Sequence, residues 1–237
     1  MILIYNLPRR RKVSRSSIQT KLQSEFMKIS YNMSELIGAI IGDGNIYKNR
    51  YVEISGDSKL DMAYFKQNLL PIIENELSYV PSIRMGLFGV RLRINNKKFT
   101  IFLNNLGIRS GKGKAANITI PKTISKDWNL SKACIRGIID TDGCLSFDKR
   151  KVYKEPYPRI ILHVKSRRLV YQIRRLLSTN GYKPTISKQM TLHGEMHWVY
   201  LNGKEQVYKY IKEIGFSNNR HLFKAREIIM EYVAPVA

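Results

Sequence analysis

The chain has 237 residues, 43% of them hydrophobic, enough for a packed core and too many for a disordered basic tail. Lys and Arg number 41 against 18 Asp and Glu, a formal charge of +23, which repels itself in a folded chain and points to a polyanionic partner, nucleic acid first. No long apolar span suggests a membrane segment, and two cysteines, Cys134 and Cys144, exclude both a disulfide framework and a four-cysteine zinc site.

Residues 1–30 read as a basic N-terminal extension, RRRKVSRSS followed by IQTKLQSEFMKIS. It serves equally well as an arm along DNA or as a solubilising segment. The start, MILIYNLPRRRKV, places its apolar run before its basic cluster, the reverse of a secretory signal, so an intracellular, cytoplasmic protein is expected. Residues 31–112 form a first repeat. LIGAIIGDG (36–44) predicts a short helix, and NIYKN and YVEIS predict two strands. DMAYFKQNLLPIIENEL predicts a second helix, SIRMGLF and VRLRI two more strands, and FTIFLNNLG a closing helix. Residues 113–130 hold Gly, Lys and Pro without periodicity and read as a linker. Residues 131–237 repeat the plan: CIRGIIDTDGC, then CLSFDKR and PRIILHV, the helix RRLVYQIRRLLSTNG, the strands KPTISKQ and HWVYL, and a last helical segment. His193 and His197 have helical metal-ligand spacing, but TLHGEMHWVYL alternates like a strand, so no zinc site is expected there.

The chain is therefore an imperfect duplication. Asp43 and Asp142 end the two short helices 99 residues apart, and Gly107 and Gly215 stand 108 apart after the closing helices. Gly38 and Gly42 share a helix face, as do Gly137 and Thr141, and small residues at that spacing let two backbones approach closely. Two helices packed on each other at a pseudo-twofold axis are expected. Gly44 and Gly143 read as left-handed helix stops.

The aspartates are in an awkward place. A carboxylate at a helix C-terminus is disfavoured by a few tenths to about 1 kcal/mol, and pairing the helices adds like-charge repulsion. A divalent cation held by both carboxylates would relieve both penalties and, against a phosphate backbone, would make a hydrolytic site. The strands flanking these helices alternate Val90, Leu92 and Ile94 with Arg91, Arg93 and Asn95, and Ile160, Leu162 and Val164 with Arg159, Ile161, His163 and Lys165. One face of each sheet thus suits a core and the other a nucleic-acid groove.

LIGAIIGDG and IRGIIDTDG (135–143) resemble the signature of the LAGLIDADG homing endonucleases, in the single-chain, two-motif, intron-encoded and archaeal-like form. The resemblance spans roughly residues 31–230. It implies an α+β fold of two pseudo-symmetric αββαββα repeats, packed through their motif helices, with antiparallel sheets forming a saddle. It implies a monomeric enzyme that binds Mg²⁺, or Mn²⁺ in its place, and cuts a long asymmetric double-stranded DNA target to leave cohesive 3′ overhangs. The acid at the eighth motif position is the metal ligand, here Asp43 and Asp142, with Gly42 and Thr141 beside them. Asp140 occupies the sixth position, where the first copy has Ile41. Supporting polar or basic groups are nominated as Asp57 or Ser58, Lys165, Lys112, Lys114, Arg220 and Lys224. DNA-contacting groups are nominated as Tyr47, Tyr51, Glu53, Arg84, Arg91, Arg93 and Asn95 in the first repeat. In the second they are Ser146, Arg159, His163, Lys183, Lys188, Trp198 and Tyr200. Two other activities fit the same scaffold: an RNA maturase that binds its host intron, and a DNA-binding regulator that does not cleave.

Overall fold

A computed structural model describes residues 29–87, 89–109, 114–150, 152, 155–192 and 194–233. The basic extension up to residue 28, His193 and Lys112 lie outside the described residues.

The first repeat opens with α1 (Tyr31–Asp43), whose N-cap Ser30 accepts the amide of Met33. Strands β1 (Gly44–Tyr47) and β2 (Tyr51–Gly56) follow. Helix α2 runs through three contiguous segments, Met62–Tyr64, Phe65–Leu69 and Leu70–Leu77. Its middle is a π turn just ahead of Pro71, whose missing N–H breaks the regular hydrogen-bond ladder. Strands β3 (Ser82–Gly86) and β4 (Gly89–Ile94) and helix α3 (Lys97–Asn105) complete it. Two short helices, α4 (Lys114–Asn117) and α5 (Lys122–Ser125), cross to the second repeat. That crossing is not a free tether, because Ile118, Ile120 and Ile124 are buried and Gln172 clasps both backbone groups of Ile120.

The second repeat consists of α6 (Trp128–Asp142), β5 (Gly143–Asp148), β6 (Tyr157–Val164), α7 (Arg167–Thr179), β7 (Thr185–Thr191), β8 (Gly194–Asn202) and α8 (Lys204–Glu213). A further helix, α9 (Asn219–Val233), follows. The two antiparallel sheets have the same order, β1-β2-β4-β3 and β5-β6-β8-β7. This is the expected pair of αββαββα units.

The repeats meet along α1 and α6. A Cβ on Gly38 would lie 2.1 Å from the carbonyl oxygen of Cys134, and one on Gly137 would lie 2.2 Å from that of Glu35. Glu35 and Cys134 are themselves 99 residues apart, as are Gly38 and Gly137, so each glycine abuts the counterpart of the other's wall. That reciprocity is the pseudo-twofold axis written in contacts. Across the same seam the Arg136 guanidinium pairs with the buried Glu35 carboxylate and also donates to the Tyr31 hydroxyl at 2.9 Å.

One expectation fails here. Gly44 (φ −84°, ψ 147°) and Gly143 (φ −99°, ψ 178°) are extended, not left-handed. Their amides still bond back to Ile40 and Ile139, and the chain turns directly from helix into strand. Glycine is needed for space: a Cβ would lie 2.4 Å from the Ile40 carbonyl oxygen at Gly44 and 2.9 Å from Ile139 Cα at Gly143. Positive φ occurs instead at Gly107 and Gly215, the paired stops after α3 and α8.

Candidate nucleic-acid cleavage site

The two helix ends bring Asp43 and Asp142 together. Burial, and next the nearby charge of Asp61, hold the Asp43 carboxyl above the usual carboxylate range, against the opposing pull of Arg220 and a hydrogen bond with the Asp142 side chain. Two carboxyls in hydrogen-bond contact cannot both ionise cheaply without a cation. A Cβ on Gly42 would fall 2.1 Å from Thr141 Oγ1 and 3.5 Å from Asp142 Cβ, so the lack of a side chain at Gly42 admits both. Thr141 Oγ1 donates back into its own helix at Gly137 and Ile138, and its carbonyl accepts from Arg220 Nη2 at 2.6 Å.

A cleft of about 290 Å³ opens beside Asp142, lined also by Gly42, His163 and Lys165. Lys165 is exposed and belongs to this cleft. Lys224 donates to the Leu145 carbonyl at 3.1 Å, and Lys114 opens α4. Asp57 serves a turn: its carboxylate accepts the amides of Lys59 and Leu60, which hold it below its ordinary range.

The tertiary structure adds groups that sequence spacing does not single out. Asp61 is buried; it accepts the Asp57 amide at 2.8 Å and Asn218 Nδ2 at 2.7 Å, and pairs with Arg220 at 3.5 Å. Arg220 also donates to the Asp140 and Thr141 carbonyls, capping α6 beside Asp142. The tail of the second repeat thus ties the first repeat to the end of α6. Asp140 lies wholly beneath the site and accepts the Ser217 amide at 2.7 Å. Its partner is a backbone group of its own repeat, and the matching position of the first repeat is Ile41. No periodic pattern marks Asp61 or Asn218, because both act through partners far away in sequence.

Burial pushes the Asp140 carboxyl up to about 8, although the Ser217 amide opposes it. A carboxyl raised in the folded state contributes stability that is complete below pH about 4 and is lost as pH climbs toward about 8. Asp140→Asn keeps an acceptor for Ser217 and removes the titration. Its melting temperature is expected to change less than the wild type's between pH 5 and pH 8, and to exceed it at pH about 8.5. Parallel thermal melts that follow the same pH curve would refute the assignment.

The nominated contact residues divide by face. On the first sheet Tyr47, Tyr51, Glu53, Arg84, Arg91 and Arg93 lie opposite the buried Val52, Ile54, Val90 and Leu92. Arg93 is held by Glu53 at 2.6 Å and lies over the Tyr51 ring at 4.2 Å. Asn95 follows β4, and its amide donates to Tyr79. On the second sheet Ser146, Arg159, His163, Trp198 and Tyr200 share a face. Asp148 pairs with Arg159 at 3.1 Å, and His163 stacks on Trp198 at 5.8 Å. Lys183 precedes β7. Lys188 is misplaced by the sequence reading: it pairs in register with the buried His197, so it lies on the helix side of the sheet, where it meets Glu195 at 3.2 Å. Among the described residues no group of three His, Cys, Asp or Glu side chains could hold a metal, and no helix is long and apolar enough to cross a membrane.

Residues 129–215 match the family model for a LAGLIDADG-like domain. The fold is similar to solved structures of the homing endonuclease I-DmoI: its mesophilic variants share 22% identity, with a TM-score of 0.57 over 78% of this chain and 91% of that one. I-DmoI in complex with DNA and Mn gives 0.56, covering 79% and 98%. Full-length DUF199/WhiA from Thermatoga maritima gives 0.52 at 14% identity, covering 90% and 66%. Among curated proteins, the reverse gyrase of Methanocaldococcus jannaschii is 25% identical over 74% of this chain, and the helicase Hel308 of Thermococcus kodakarensis 23% over 90%. The chain spans only 10% and 19% of those two proteins.

Proposed function

We propose that this chain is a site-specific endonuclease of the LAGLIDADG homing type, intron-encoded and archaeal-like, acting in the cytoplasm as a monomer on double-stranded DNA. The observation that carries the reading is the meeting of Asp43 and Asp142 at the ends of two paired helices, between two sheets with basic outer faces. Both halves of a two-strand cut would come from one chain, so no second copy is required. I-DmoI, which shares the fold, is solved with DNA and Mn and with DNA and Ca.

The residues fit a hard divalent cation. Two carboxylates are enough where water and substrate phosphate supply the remaining positions, as is usual for Mg²⁺. Such a cation, Mg²⁺ with Mn²⁺ as substitute, would supply Lewis acidity and lower the pKa of bound water. The protein's own share is positional. Asp43 and Asp142 would hold the metal, with Gly42 and the Thr141 backbone alongside. Lys165 lines the cleft where phosphate charge would build up, and Arg220, whose charge acts on Asp43, would add positive charge together with Lys224. The outer faces of the sheets would read the major groove on either side of the cut, with arginine contacts to guanine the most discriminating. Cohesive 3′ overhangs at a long asymmetric target are the expected product.

The test is cleavage of a plasmid carrying the uninterrupted host-gene junction, with and without Mg²⁺. Linear product only with metal is the expected result; tight binding with no cleavage would instead mark a regulator on the same scaffold.

A further inference from the structure

His221 is a buried titratable group that the metal-site reading leaves without a task. It follows Arg220 in the first turn of α9 and is 1% exposed. Burial, and next the charges of Arg220 and Lys224, push its imidazole down to about 3, so the ring is neutral near pH 7. A neutral imidazole has one proton and one lone pair to place. Nε2 accepts from Arg220 Nε at 3.2 Å, closer than the 3.4 Å between Nδ1 and the Leu145 amide nitrogen. The proton therefore belongs on Nδ1, and the Ile139 carbonyl takes it. Phe216 packs on the imidazole with ring centres 5.2 Å apart and is itself backed by Tyr210, which leaves the ring little room to turn.

Arg220 is held by its other nitrogens too. Nη2 donates to the carbonyls of Asp140 at 2.9 Å and Thr141 at 2.6 Å, and Nη1 meets Asp61 at 3.5 Å across the repeat boundary. Asp61 is the one carboxylate it pairs with among the described residues. A cation in the first turn of α9 opposes that helix's dipole, whereas at the end of α6 it is favoured. Left free beside two carboxylates, an arginine forks onto them through charge-assisted hydrogen bonds. Arg220 instead acts on Asp43 by charge alone. A guanidinium forked onto Asp43 or Asp142 would occupy the oxygens that a cation needs. The first repeat has no such device, since all four histidines lie in the second.

We propose that His221 is a positioning residue: it holds Arg220 against Asp61 and the end of α6, so that the guanidinium supplies charge beside Asp43 and Asp142 without pairing with either. This rests on the metal-site reading above.

The first probe is Mn²⁺ alone, its uptake by the DNA-free chain read from the electron paramagnetic resonance of the free ion. The second is the Arg220 Nε–H signal in the NMR spectrum of the metal-free chain, assigned by its loss in Arg220→Gln. His221→Leu keeps the packing and removes the lone pair. Its Mn²⁺ affinity is expected to fall about tenfold, the scale of one charge-assisted hydrogen bond, and the Nε–H signal to shift and exchange faster with water. His221→Gln, whose side-chain oxygen reaches the Nε2 position, should keep the signal and stay within about twofold in affinity. His221→Asn is one carbon too short and should behave like the Leu variant. In an Arg220→Gln background, His221→Leu should change Mn²⁺ affinity by less than about twofold, because His221 acts only through Arg220. Should circular dichroism show the Leu variant unfolded, Gln against Asn carries the comparison. An undiminished effect of His221→Leu without Arg220, an Nε–H signal that it does not move, or equal behaviour of Gln and Asn would each overturn the proposal and leave the metal reading standing. No Mn²⁺ uptake by the wild type would overturn the metal reading itself, and with it the task given to Arg220.

Discussion

Replacing Asp43 or Asp142 with Asn is expected to lower DNA cleavage by about a thousandfold or more, since each substitution would remove half of the proposed two-carboxylate metal site. Asparagine nearly preserves shape, so the helix pair should survive. The stability effect should run the other way from the activity effect. Burial and Asp61 hold the Asp43 carboxyl above its ordinary range, so its ionised form costs folding energy as pH rises above that range. Asp43→Asn removes that cost, and the metal-free variant should melt at or above the wild-type temperature at pH 7.5. DNA binding in Ca²⁺ should be retained. Activity, melting temperature and binding measured together distinguish this from simple damage. Cleavage that persists in the double variant would sink the metal assignment outright.

The second large effect belongs to the seam. Gly38→Ala and Gly137→Ala each place a methyl about 2 Å from a backbone carbonyl oxygen of the facing helix. Neither wall is a side chain that can rotate away, so the helices must separate or shift. Overpacking of a closely packed core typically costs about 1–3 kcal/mol, and a clash with backbone belongs at or above the upper end. The double variant should cost less than the sum, because the first shift opens space for the second methyl. Cleavage should fall with stability, since Asp43 and Asp142 sit about one and a half turns beyond these glycines. Urea denaturation provides the measurement, with exposed Ser178→Ala as the near-neutral reference. A loss below about 0.5 kcal/mol for both single variants would show that the helices do not meet at these glycines.

Much of this was readable in the chain. Alternation in VRLRI and RIILHV assigned core and outer faces correctly, because a strand's two faces are set by sequence parity alone. The duplication gave the element order of both repeats, since local pattern and repeat spacing agree. Lys188 shows where such reading stops. Its strand is exposed on both sides near its end, so no apolar pattern reveals the register, and only pairing with His197 places it. The extended Gly44 and Gly143 show a related limit: a glycine after a helix looks the same in sequence whether φ or space requires it.

The chemistry divides along the same line. By itself the sequence determined that two small-residue helices each end in an aspartate, that basic strands flank them, and that the two units share one plan. Those properties are local, repeated and carried by residue type. Only the tertiary structure decided that Asp61 and Asn218 anchor the site, that Arg220 caps α6, and that Asp140 lies buried beneath it. Each depends on groups brought together from up to 157 residues apart, and such meetings are set by how helices and sheets pack rather than by any spacing along the chain.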